Sequence, residues 1–272
     1  MRIKENIAVS AKYIQLSFKI ALQYKFDRFF LLFAVLVREI GNVLVIILLL
    51  QRFIEIKGWT LEELLFLYSF LYISYGIFVL FFTGLRDFED LVYDGEFDRY
   101  LLRPQSLMYQ ILLSKIDIPA AFGYCILGIF LFITTSNGVQ ISWTLPNIIY
   151  YTVMLISSII IQMSIFLFAS ALSFKAIKVA NVRNLIFFSI RKCAAYPLSF
   201  YPCFISSLLI YIIPFAFVNY FPALFFLEKQ ESLQYNSVYF YISPFIGAVM
   251  LSLSLLSWNK LKSKYSSSGN QL

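Results

Sequence analysis

The charged residues of this sequence are scarce, and their densest acidic cluster stands in one stretch, Leu85–Leu113 (LRDFEDLVYDGEFDRYLLRPQSLMYQILL). Leu85, Phe88, Leu91 and Val92 recur at helical spacing, which predicts an apolar stripe facing a membrane boundary. Asp87, Glu89, Asp90 and Asp94 then fall on the opposite face. Gly95 permits a break. Glu96 with Arg99, and Arg99 with Arg103, stand three and four residues apart, where side chains on a helix meet. Pro104 suits the first turn of a following helix, where its missing N–H is not needed. A rigid helix-turn-helix of this charge density offers electrostatic docking to a soluble partner; the plain alternative is a solvated loop joining two apolar helices. A second group, Arg38, Glu39 and Asn42, interrupts an otherwise apolar run. Ionisable groups at such a place are costly and normally face a protein interior or a wet cavity. Adjacent residues on a helix point about 100° apart, so Arg38 and Glu39 are not expected to pair with each other. They line a pathway or a seam between subunits, or each pairs with another helix.

Residues for bond-making chemistry are missing. The chain has no His, which excludes His metal sites, His-dependent triads and His proton relays. Cys125, Cys193 and Cys203 form no CxxC pair and lie in apolar surroundings, as small buried hydrophobes do. No GxxxxGK[ST] phosphate loop, GxSxG or HExxH occurs. Neither a metal site nor an enzymatic activity is therefore expected. The formal charge of +7 is explained by where the basic residues fall and does not signal nucleic-acid binding.

The elements that must position these groups are dictated by composition. Hydrophobic residues make up 60% and charged ones 14%, with a mean hydropathy of +0.78. Soluble domains carry about 25% charged residues, so this chain cannot cover a water-facing surface. Residues 64–85, 118–174, 194–227 and 232–259 contain no Asp, Glu, Lys or Arg. A helix needs about 20 such residues to cross the hydrocarbon core. Barrel strands would alternate over about 10 residues, so these continuous runs predict helices. The 30 Phe and 19 Tyr are read as lipid-facing bulk or an interfacial belt.

Residues 7–24 interleave Lys12 and Lys19 with apolar residues at helical spacing, the pattern of an amphipathic helix lying in the interface. Spans are expected at Phe29–Leu50, Leu64–Gly84, Tyr109–Thr134, Asn147–Ser173 and Ser237–Ser257. Ser136–Leu145 reads as a short outer turn. Ala169 and Ser173, four apart, allow a close helix approach. The stretch 184–227 is interrupted by Pro197, Pro202, Pro214 and Pro222, with Arg191 and Lys192 inside it. Most of the 22 Lys and Arg lie in the N-terminus, 85–115, 175–183 and the C-terminal tail, while Arg52, Lys57 and Lys229 are the basic residues of the opposite loops. That bias puts both termini in the cytoplasm and requires an even number of crossings. Residues 184–227 then make one net crossing, as a fifth span followed by a proline-broken re-entrant hairpin at the outer face. The expected fold is all-α, with six spans in one domain over 1–265 and a flexible tail at 266–272.

The run Asp94-Gly95-Glu96-Phe97-Asp98-Arg99-Tyr100-Leu101-Leu102-Arg103-Pro104 resembles the G-x-hydrophobic-D-x-x-L-L-R-P signature of bacterial ABC exporter permeases of the ABC-2 class, in the six-span branch of viologen, drug and peptide exporters. Tyr196-Pro197-Leu198-Ser199, Ile213 to Ala223, and Gly58-Trp59-Thr60 before the second span fit the same family, and the resemblance covers nearly the whole chain. It implies an interfacial N-terminal helix, six spans, a cytoplasmic coupling helix between spans two and three, and an outer hairpin before span six. It also implies a second permease, identical or paralogous, and a separate ABC ATP-binding subunit that holds ATP and Mg, with no cofactor on this chain. ATP-driven closure of the ATPases would push on the coupling segment, 85–108. Arg86, Asp94, Gly95, Glu96, Phe97, Asp98, Arg99, Tyr100, Arg103 and Pro104 would be the coupling residues, with Asp98, Arg99 and Arg103 the foremost contacts. Arg38, Glu39 and Asn42 would line the substrate pathway or the dimer seam. The implied function is export of an amphipathic small molecule, drug or peptide across the bacterial plasma membrane. The alternative class, an ion-coupled secondary transporter, should show internal repeats and broken midplane helices; no clear repeat is present.

Overall fold

With no water in the bilayer core, backbone N–H and C=O groups must pair within the segment, so each long apolar run becomes a helix bounded by whatever supplies its first and last bonds. A computed structural model of the chain describes Lys19, Gln23 and residues 25–52, 55–175, 190–229 and 235–265. The described residues are helical, with no strand beyond an isolated bridge between Ile56 and Trp59. Four helices are long and apolar enough to cross a membrane: α1 (Lys25–Arg52), α2 (Leu61–Arg86), α6 (Ile118–Gly138) and α7 (Leu145–Leu172). Between α2 and α6 come three short helices, α3 (Phe88–Tyr93), α4 (Phe97–Leu101) and α5 (Leu107–Ser114). The expected interfacial helix at 7–24 lies outside the described residues apart from Lys19 and Gln23, and so do 176–189 and the tail at 266–272.

Helix boundaries follow local chemistry. Thr60 opens α2 with a capping box: the Thr60 N–H donates to Glu63 Oε2 at 2.7 Å and the Glu63 N–H donates to Thr60 Oγ1 at 3.5 Å. Such a cap contributes about 1 kcal/mol. The third apolar run was expected to be helical from Tyr109; instead it breaks at Lys115–Asp117. Asp117 caps α6, accepting the Ala120 N–H at 3.2 Å, and Pro119 fills the first turn. A proline favours a helix start and forbids an interior position, so α5 and α6 separate there. The final long helix, α12, runs Ser243–Lys262 with Pro244 in its first turn, six residues later than expected; Val238–Tyr241 forms the short α11 before it.

The helix α2 is the centre of the molecule. Phe66, Phe70 and Phe78 are fully buried, and α2 packs against α6, α7 and α5, while α12 lies along α7. Approach of α2 to α6 is close because Gly128 carries no side chain: a methyl there would meet the Ile73 backbone nitrogen at 2.8 Å. By contrast α1 packs chiefly on α6 and turns Phe30, Phe33, Val37, Leu44 and Leu48 outward.

Residues 190–229 do not make a long helix. They form α8 (Ile190–Ala194), a 3-10 turn at Leu198–Phe200, α9 (Cys203–Ser207) running into a π turn at Leu208–Ile212, a 3-10 turn at Phe215–Phe217, and α10 (Tyr220–Leu227). Pro197, Pro202 and Pro214 stand at the junctions. Irregular backbone buried in apolar surroundings needs side-chain partners. Asn219 Nδ2 donates to the Ala194 carbonyl at 2.9 Å, and the Ser158 hydroxyl of α7 donates to the Val218 carbonyl at 2.5 Å. At one end of the molecule Trp59 is fully buried beside Tyr220, with ring centroids 6.2 Å apart. Lys229 pairs with Glu63 at 2.7 Å there. The start of α1, the α2–α6 connection and the end of α12 gather at the opposite end, where Arg28, Arg86, Lys115 and Asp117 line one cleft and Tyr265 meets Asp98.

Candidate functional site

The connection Asp87–Ser106 forms a bent elbow made of α3 and α4. Gly95 bends it, with φ of 71°, in the left-handed region that glycine enters without a Cβ penalty. The apolar stripe does not face a membrane boundary as expected; it turns inward. Phe88 and Phe97 are fully buried and meet edge to face, with centroids 5.4 Å apart. Phe88 lies 5.3 Å from Phe174 and 5.0 Å from Trp258, and Phe97 lies 4.9 Å from Tyr265. The elbow is thus seated on the end of α7 and on the last turns of α12. Glu89, expected on the solvent face, is buried as well.

The neck of the elbow is fixed by charge. Arg86 Nε is 2.8 Å from Asp87 Oδ1, and its Nη2 is 3.6 Å from Asp117 Oδ2; Lys115 pairs with the other Asp87 oxygen. The Ser170 hydroxyl donates to the Leu85 carbonyl at 2.7 Å, and Gln110 Nε2 donates to the carbonyls of Gln105 (2.9 Å) and Tyr100 (3.2 Å). Gly84 lets α2 touch α5: a methyl there would collide with the Ile111 carbonyl oxygen. The tip is the opposite of this base. Arg99, Leu101, Leu102, Arg103 and Pro104 are exposed, Leu102 to 88%. Asp94 and Glu96 are exposed too, and Tyr100 is half-buried beneath the Arg103 guanidinium, 5.0 Å from its ring centre. Asp98 faces inward and accepts a hydrogen bond from the Tyr265 hydroxyl at 3.0 Å. Among the described residues no ion pair joins Glu96 to Arg99.

A second constellation sits within the helices. Arg38 and Glu39 do pair, Nε to Oε1 at 2.9 Å, because the long guanidinium side chain curls around the helix. Glu39 is buried and accepts three further hydrogen bonds: from Asn42 Nδ2 at 2.9 Å, from the Tyr72 hydroxyl at 3.0 Å and from the Tyr124 hydroxyl at 3.1 Å. Arg38 Nη2 also reaches the Tyr124 oxygen at 2.6 Å. The buried Arg191 of α8 lies over the Tyr75 ring at 4.0 Å and 5.4 Å from that of Tyr124. Arg38, Glu39, Asn42, Tyr72, Tyr124 and Arg191, with Tyr68, Leu71, Lys192, Ala195 and Tyr196, line a cavity of about 450 Å³. Sequence reasoning found Arg38, Glu39 and Asn42 and missed the tyrosines and Arg191. Tyr72, Tyr75 and Tyr124 are buried, not lipid-facing as expected. The missed signal was Tyr68, Tyr72 and Tyr75, spaced to share one face of α2. No group of His, Cys, Asp and Glu among the described residues is arranged to hold a metal ion.

Residues 36–269 match a family described as ABC-2 family transporter protein. The chain matches no curated protein and no solved structure.

Proposed function

The chain belongs to the ABC-2 family of transporter proteins, and on that premise we propose that it is the permease subunit of an ATP-driven exporter. It is a multi-pass membrane protein of an ABC transporter. In the proposed arrangement two permeases, copies or paralogues, sit on two ATP-binding subunits that hold ATP and Mg. The cargo is an amphipathic small molecule, drug or peptide moved outward across a bacterial plasma membrane. Both termini and the elbow face the cytoplasm, in keeping with the Lys and Arg bias. Six crossings result if α12 spans and residues 184–227 supply one net crossing with a re-entrant hairpin.

The observation that carries this reading is the two-sided construction of the elbow. Its tip exposes Leu102 between Arg99 and Arg103, while its base is buried against α7 and α12. A hydrophobic knob flanked by guanidiniums is suited to a groove with acidic rims. A force on that tip passes into α2 through the Arg86–Asp87–Lys115 neck and into α7 and α12 through the aromatic seat. Arg99→Glu combined with Arg103→Glu should cut co-purification of the ATP-binding subunit at least tenfold, about 1.4 kcal/mol. Both side chains are exposed, so the melting temperature of the permease should stay the same. Undiminished co-purification would show that the tip is not the docking element.

A further inference from the structure

The intramembrane cavity carries unequal charge. Arg38, Arg191 and Lys192 line it, against a single carboxylate, Glu39. The sequence offers no other acid nearby along these segments: Glu39 stands alone between Asp27 and Glu55, no acid lies from 64 to 85, and none lies between Asp117 and Glu228. Glu39 is also saturated. A carboxylate offers about four lone-pair sites, and Arg38, Asn42, Tyr72 and Tyr124 each donate to one. A cationic guest would therefore find no acceptor left on the one acid, and it would meet three cations. The Lys192 ammonium is exposed and makes no hydrogen bond or ion pair in the described structure, and the Arg38 side chain is 59% exposed at the rim. In a medium of low dielectric such a surplus is strongly disfavoured without a counter-charge.

We propose that this cavity binds the anionic headgroup, a phosphate or carboxylate, of an amphipathic molecule whose apolar part lies along Leu71 and the neighbouring lipid. The proposal rests on reading Arg38, Glu39 and Asn42 as part of the substrate pathway. Arg38 and Lys192 hold the anion, and Glu39 with its tyrosines holds Arg38 in place. A volume of about 450 Å³ accommodates a headgroup and several carbons but not a folded peptide.

The test uses the full chain in phosphatidylcholine nanodiscs, with empty discs as background. Two fluorescent probes share one alkyl chain and carry a phosphate or a trimethylammonium head. The phosphate probe should bind at least tenfold more tightly than the trimethylammonium probe. Lys192→Gln should weaken it about tenfold, while Lys260→Gln, on exposed α12 surface, should leave it unchanged. Equal or tighter binding of the cationic probe, or full affinity in Lys192→Gln, overturns the proposal. Displacement by inorganic phosphate would assign the site to a free anion; displacement on adding phosphatidylglycerol would assign it to a lipid headgroup, and both uphold an anion site. No ATP-binding subunit is needed here, so a failure would leave the elbow experiment standing, and the reverse.

Discussion

A carboxylate buried among apolar helices survives only if its surroundings replace the water it has lost, and Glu39 does so with four donors from three helices. Removing such a group strands the cations packed around it. Glu39→Leu should therefore cost about 3 kcal/mol, the scale of breaking a buried ion pair, read as a fall in melting temperature in detergent. Arg38→Leu should cost less than about 1 kcal/mol, since Glu39 keeps its three other donors and the Arg38 side chain is 59% exposed at the cavity rim. Equal losses would mean that the two act as an isolated pair without the tyrosines. The presence of a polar site was legible in the sequence, because Arg38, Glu39 and Asn42 break an apolar run. Its composition was not. Tyr72 and Tyr124 look like any of the 19 tyrosines until α2 and α6 close on each other, and Arg191 reaches the site from 152 residues beyond Glu39 in the chain.

At the scale of elements, the elbow works as a lever only if its base is tight. Phe88 touches Phe97, Phe174 and Trp258 at once, so Phe88→Ala leaves a cavity costing about 3 kcal/mol. The tip residues are untouched by that change. The ATP-binding subunit should still co-purify with Phe88→Ala, while amide hydrogen exchange across residues 88–101 rises at least tenfold. Unchanged exchange would contradict the aromatic seat. The helix-turn-helix character of this stretch was readable from Gly95, Pro104 and the charge pattern. The direction of its apolar stripe was not, because Leu85, Phe88 and Val92 have the same periodicity whether they face lipid or the rings of Phe174 and Trp258. The break at Lys115–Asp117 did leave a mark, an Asp two residues before Pro119. It was outweighed by the continuous apolar run from Ile118, which says how long a helix can be and not where it starts.

For the whole molecule, the Lys and Arg bias predicts that the end holding the elbow and the last turns of α12 faces the cytoplasm. The orientation is testable in whole cells with a membrane-impermeant maleimide, in a background where Cys125, Cys193 and Cys203 are serine. Gln140→Cys, in the exposed connection between α6 and α7, should react in intact cells. Ser106→Cys, at the elbow end, should react only after permeabilisation; the reverse pattern would invert the topology. The four prolines of 184–227 announced that this stretch is broken, but the bonds that make it tolerable, Asn219 to Ala194 and Ser158 to Val218, span 25 and 60 residues and belong to the tertiary structure alone. The central claim, that the chain takes its power stroke through the elbow, is tested most directly by photo-cross-linking. With a benzoylphenylalanine at Leu102, the cross-linked partner identified by mass spectrometry should be a P-loop ATPase, absent when the probe stands at the exposed Leu145 at the other end of the molecule. Cross-links from Leu102 to lipid only, with no ATPase, would contradict the account.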